Sequence, residues 1–245
     1  MREPLGHDLV REHTVYACVT GPRAFGLATD GGDADRRGVF VAPTPLFWRL
    51  DKPPTHVTGP REGEFSWEIE RFCSLALRAG PSLLECLHSP LVEHADATGR
   101  ELLELRDAFL SRRVEASFRG YADQLLGRVE ADIRREGAPR WKHAMHLLRL
   151  LIGCRDLLRT GTLTVDVGEH REELLAVRRG EVGWEKVRGR IRTLFGEIDA
   201  AVARTPLPAE PDRARVEDFL VRVRRASAES APDPVAAGLR DRPRA

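Results

Sequence analysis

The sequence predicts an α+β protein: a small mixed β-sheet core followed by a mostly α-helical C-terminal half. Two observations predict this. Runs rich in β-branched and aromatic residues crowd the first 70 positions, at 14–20, 37–42 and 64–69. From about Glu101 onward the apolar residues recur at helical spacing nearly throughout. Strands first and helices after fit an α+β half followed by a helical half.

Thr14-Val-Tyr-Ala-Cys-Val-Thr20 reads as a buried strand, and a short helix starts near Pro22, where proline suits a first turn. Residues 37–42 read as a partner strand. The segment 43–63 is rich in Pro and Gly and reads as an irregular excursion. Residues 64–69 alternate, with Glu64, Ser66 and Glu68 against Phe65, Trp67 and Ile69, as in a half-buried strand running into a helix. Phe72, Leu75, Ala76 and Ala79 continue at helical spacing until Gly80-Pro81 stops them, and Leu83, Leu84 and Leu87 start the next helix. Later stripes are Leu102/Leu103/Leu105/Phe109/Leu110, Tyr121/Leu125/Leu126/Val129 and Trp141/Met145/Leu148/Ile152, with further helices over about 170–178 and 184–203. Residues 213–225 read as a short, highly charged helix.

Of 245 residues, 42% are hydrophobic, enough for a substantial core, so global disorder is excluded. The 39 basic residues nearly balance the 38 acidic ones, so any anion site must be local rather than the product of a global field. Cys18, Cys73, Cys86 and Cys154 are scattered, without a Cys-x-x-Cys pair, and read as small buried thiols of a reducing cytosol. No apolar leader opens the chain and no stretch reaches the length of a membrane span, so a cytoplasmic protein with no membrane partner is expected.

The chemistry concentrates near the N-terminus, in Gly21-Pro-Arg-Ala-Phe-Gly-Leu27 and Gly32-Asp-Ala-Asp-Arg-Arg-Gly-Val-Phe-Val41. In an extended segment residues i and i+2 share a side, so Asp33 and Asp35 can present both carboxylates to one point. Facing carboxylates repel unless a cation lies between them. Mg²⁺ is commonly held by one or two carboxylates plus substrate phosphates, which is the chemistry of nucleotidyl transfer. An isolated Asp-x-Asp otherwise reads as a solvated turn.

The order strand, glycine turn, paired aspartates, strand resembles the polymerase-beta-like nucleotidyltransferase superfamily. The closer resemblance is to a family of predicted nucleotidyltransferases associated with RNA repair. It is carried by Arg23, Ala24, Gly26, Leu27, Asp33, Asp35, Arg37, Gly38, Val39 and Pro43. It continues in 68–77, 80–87, 118–122, 142–151 and 173–181, and covers roughly residues 10 to 190. The resemblance implies a nucleotidyltransferase core over 1–105 and a helical domain over 106–205. A charged, Pro-rich and partly disordered tail over 206–245 completes the expected organisation. The implied activity is Mg²⁺-dependent transfer of a nucleoside monophosphate from an NTP to a hydroxyl acceptor, with an RNA end as the acceptor the RNA-repair association suggests. A two-metal arrangement is expected, with Asp33 and Asp35 as metal ligands.

Two departures stand out. The family places a serine after Gly21; Pro22 removes both that hydroxyl and a backbone donor, leaving Arg23 as the nearby phosphate clamp. The position of the superfamily's third carboxylate falls at Gly63, so Glu64, with its longer reach, is the candidate. These departures favour an alternative: a catalytically impaired relative that binds nucleotide or RNA as a regulatory or scaffold module.

Lys142, His146 and Arg149 lie at i, i+4 and i+7, one stripe of a helix, and read either as a solvated face or as nucleotide-binding residues lining the cleft. Arg178 and Arg179 are further phosphate candidates. Glu85 reads as a buried helix glutamate, either structural or part of the site. His143 and His146 lack a third ligand nearby, so zinc is not expected.

Overall fold

The computed structural model describes residues 3–29 and 34–230. Asp33, the Gly31-Gly32 turn and the tail beyond 230 lie outside the described residues. Helix α1 (Glu3–His13) leads into β1 (Thr14–Thr20), the one-turn α2 (Gly21–Ala24) and β2 (Asp35–Phe40). A 3-10 turn over Thr44–Trp48 precedes β3 (His56–Thr58), β4 (Glu64–Glu68), α3 (Ile69–Ala76), α4 (Pro81–Leu87) and β5 (Val92–Ala95). The helical half comprises α5 (Ala97–Glu104), α6 (Arg113–Glu136), α7 (Trp141–Thr160), α8 (Arg171–Arg178), α9 (Trp184–Val202) and α10 (Arg213–Glu229).

The sheet is mixed, in the order β3-β4-β2-β1-β5. β1 runs antiparallel to β2 and β5, β4 lies parallel to β2, and β3 closes the edge antiparallel to β4. The pleat sends Tyr16, Cys18 and Val39 into the main core, with Ile69 and Phe72 of α3 and Leu84 and Cys86 of α4. Phe40 faces the other way, into a small second cluster with Leu9 of α1, Ala42 and Val57 of β3. The β2 strand begins two residues earlier than its apolar run suggests, and so includes Asp35. The excursion over 43–63 contains β3, and neither α1 nor β5 has a strong pattern of its own. Both end strands are short, and Val92 on β5 is half exposed.

Capping explains the junctions. Glu68 ends β4 and accepts the Glu70 N–H at 2.9 Å, starting α3. Asp96 accepts the Gly99 N–H at 2.8 Å, starting α5. A Cβ at Gly99 would strike the Val15 carbonyl, so only glycine lets α5 lie against β1. Gly137 and Gly161, both left-handed, end α6 and α7.

Helix α7 is the hub of the helical half, packed by α6, α8 and α9. Its buried side runs through Ala144, Leu147, Leu151, Cys154 and Leu158 as well as Met145 and Leu148, far wider than one stripe. On α6 the buried face is Val114, Phe118, Ala122 and Val129; Tyr121 is half exposed, because the stripe is rotated from the one its aromatic ring suggests.

Helix α10 folds back onto the sheet end of the molecule, so 213–229 is a docked element and not a loose part of a tail. Val216 and Phe219 are fully buried. Arg224 donates to Glu68 at 2.8 Å and stacks 4.3 Å from the centre of the Phe47 ring. Thr44 Oγ1 donates to the Arg224 carbonyl, and Ser227 Oγ accepts the Thr44 N–H.

Candidate active site

The site is built where β1 ends. Thr20 pairs with Asp35 across the β1/β2 ladder, and its hydroxyl donates to the Asp35 carbonyl at 3.1 Å. Gly21 then takes φ +69°, a turn that other residues adopt only at a cost. Its missing side chain leaves room for the Asp35 carboxylate, whose Oδ2 any Cβ at Gly21 would strike. Helix α2 is a single turn, so its dipole is slight, and Pro22 takes one N–H out of that turn. Arg23 is exposed on it.

Asp35 and Arg37 share a face of β2. Arg37 Nη1 donates to the Gly63 carbonyl at 2.5 Å and to the Arg36 carbonyl at 2.9 Å, while Nη2 stands 3.9 Å from Asp35 Oδ1. Gly63, at φ +83°, immediately precedes β4; a Cβ there would sit 3.3 Å from the same Asp35 oxygen. The residue that the resemblance aligns with a third carboxylate thus lies beside Asp35, and as glycine it has no side chain.

Glu64 does not fill this place. The parallel register sets Glu64 opposite Arg36, so its side chain leaves the sheet on the face away from Asp35. There it lines a groove of about 370 Å³ over Ala17, Gly38 and Ser66, beside Arg36 and Glu93. Glu64 Oε2 accepts the Arg61 N–H at 3.4 Å. Alternation along β4 alone cannot reveal this, because the face depends on which residue of β2 it meets.

The basic stripe of α7 divides. Lys142 is exposed. Arg149 is only 14% exposed; it pairs with Glu85 of α4 at 2.7 Å and lies 3.7 Å from the centre of the Phe25 ring. Its Nε, pressed against that surface, has no hydrogen-bond partner. Arg149 is therefore a strut between α7, α4 and the segment after α2, and not a free phosphate ligand; Glu85 is its counter-ion. His146 is pushed down to about 4, first by burial and then by Arg149, Lys142, His143 and Arg178, so it is neutral at physiological pH. His143 bonds the buried Asp132 of α6 at 2.8 Å.

The stripe abuts the chain running from α2 toward the aspartates. Arg178 donates to the Leu27 carbonyl at 3.4 Å, Arg171 to the Gly26 carbonyl at 2.9 Å, and Val167 N to the Phe25 carbonyl at 3.1 Å. Gly26, at φ +69°, leaves space that a Cβ would take 2.8 Å from Asp166. Arg179 instead pairs with Glu181. The helical half thus pins the Phe25-Gly26-Leu27 segment.

The Gly21 turn thus carries the Asp35 carboxylate of the neighbouring strand, and β4 lies parallel to β2 beside it. The family model described as "RNA repair pathway DNA polymerase beta family" matches residues 7–222. The chain belongs to that family. A Bacillus subtilis (strain 168) protein, "Uncharacterized protein YcgL", is 27% identical over 154 residues, which span 61% of this chain and 58% of the relative. No solved structure matches the chain.

Among the described residues no group of three or more His, Cys, Asp or Glu side chains is placed to hold a metal ion. What the family's chemistry can use here is Asp35, 41% exposed at its side chain, together with Asp33 two residues before it. Carboxylates are donors of the kind that Mg²⁺ takes together with phosphate oxygens. Among the described residues no carboxylate stands at the Gly63 position beside Asp35. Among the described residues, no helix is long and apolar enough to cross a membrane. The i+2 spacing of Arg37 from Asp35 is the sequence signal that places the two on one face of β2.

Proposed function

We propose that this polymerase beta family member is a Mg²⁺-dependent nucleotidyltransferase that moves a nucleoside monophosphate from an NTP to a hydroxyl acceptor, with an RNA end as the acceptor. The observation that carries this reading is the seating of the Asp35 carboxylate on the Gly21 turn. Asp33 and Asp35 would hold Mg²⁺, which when bound neutralises triphosphate charge. The Gly21–Arg23 turn brings backbone N–H groups and Arg23 toward the phosphates, and Lys142 supplies positive charge from the helical half. Catalysis in this class is mostly positioning and electrostatics, so rigid placement of these groups is the chain's main contribution.

The test is incubation with each α-³²P-labelled NTP, Mg²⁺ and RNA oligonucleotides with 3′-hydroxyl ends. Labelled RNA, lost in Asp35→Asn, supports the reading. Absence of both transfer and NTP binding overturns it. A second reading, a nucleotide- or RNA-binding module with impaired chemistry, is favoured by bare Gly63 and by Pro22; binding that depends on Asp35 without any transfer would select it.

A further inference from the structure

We propose that Arg37 is the built-in second cation of this site, so that the protein takes one divalent ion with its nucleotide where a two-metal site takes two. The inference rests on the nucleotide-binding reading above. Three observations carry it.

First, the corner of β4 next to Asp35 Oδ1 is occupied by Gly63, which has no side chain, and the neighbouring acid, Glu64, leaves the sheet on the opposite face. A second dication there would have no ligand from β4. Second, the Arg37 guanidinium already stands in that corner. It is fixed by two backbone carbonyls, Gly63 and Arg36, and lies 3.9 Å from Asp35 Oδ1. A carbonyl-anchored guanidinium is preorganised, and its remaining N–H groups are the donors that suit phosphate oxygens. Third, Gly63 is tied to this arrangement. Its left-handed backbone turns the carbonyl toward Arg37, and a side chain there would crowd Asp35 and the Ala34 carbonyl, 3.4 Å away. Glycine at 63 and arginine at 37 thus act together: one removes a ligand of the second ion, the other supplies positive charge in its place.

The experiment counts ions and measures affinity, and needs no turnover. The full chain is titrated with Mn²⁺ in the presence of a saturating NTP analogue whose α,β-bridge cannot be cleaved, with bound Mn²⁺ read by electron paramagnetic resonance. One Mn²⁺ per chain is expected. Two per wild-type chain would overturn the proposal while leaving the nucleotide reading intact. No analogue binding under any condition would overturn both. In parallel, Arg37→Gln should weaken the analogue at least tenfold at saturating Mn²⁺, and Arg37→Lys, which keeps the charge, should recover most of that loss. Unchanged affinity in Arg37→Gln would overturn the proposal. If either variant fails to fold, the wild-type ion count still decides.

Discussion

The carboxylate of Asp35 occupies space that Gly21 leaves empty, and the two residues are joined by the first rung of the β1/β2 ladder next door, Thr20 to Asp35. The glycine serves both the backbone, which turns at φ +69°, and the acid, which rests on it. Gly21→Ala should therefore cost roughly 1–3 kcal/mol of stability and abolish metal-dependent NTP binding. Chemical denaturation and calorimetry check the two effects. Retained NTP binding would mean that the Asp35 position over this turn is dispensable.

The α7 stripe should separate into a strut and a ligand. Arg149→Ala leaves Glu85 without its partner and empties the contact with Phe25, so a loss of about 3–5 kcal/mol is expected. Lys142→Ala should change stability by no more than about 0.5 kcal/mol yet weaken NTP binding and flatten its salt dependence. Urea melts of the two variants side by side test this. Equal stability would refute the strut.

Glu68 and Arg224 carry a pH signature. Burial raises the Glu68 carboxyl above its ordinary value of 4.5, and Arg224 partly opposes that rise. A raised acid contributes stability at low pH that is lost as the pH climbs through its folded value. Removing Arg224 should push the carboxyl higher still. Arg224→Ala should accordingly lower Tm more at pH 7 than at pH 5, because only the ionised carboxylate suffers from losing its partner. An equal drop at both values would show that packing on Phe47 is what Arg224 provides.

His88 and His146 are both pushed down to about 4, chiefly by burial. A depressed base contributes stability that is present above its unfolded value near 6.5 and is lost as pH falls toward 4. NMR titration should show both imidazoles neutral and unchanging from pH 8 down to about 5. A His146 midpoint near 6.5 would mean that the basic cluster around it is well solvated.

The Gly21 turn, the first strands and the helical half were legible because each rests on local pattern: β-branched runs, glycine spacing and the 3.6-residue period. The failures are tertiary. Glu64 is a plausible carboxylate until the parallel pairing with Arg36 turns it away. Arg149 reads as a solvated or phosphate-facing residue because charged residues at i, i+4 and i+7 make one stripe, while its partners Glu85 and Phe25 are remote in sequence. The anchoring of the Arg37 guanidinium depends on a carbonyl 26 residues away. Nothing in the charged sequence of α10 announces that Arg224 will enter the sheet end of the molecule.

That return of α10 fixes an order of events during synthesis. Glu68 and Arg224 are 156 residues apart, and Thr44 and Ser227 are 183 apart. At ribosomal speeds of about 5–20 residues per second, the emerging Glu68 waits roughly 8–30 seconds for its guanidinium. Throughout that interval the strand, the start of α3 and the 44–48 turn lack their last support. The nascent first third is thus a half-finished object, and the chain closes it with one of its last helices.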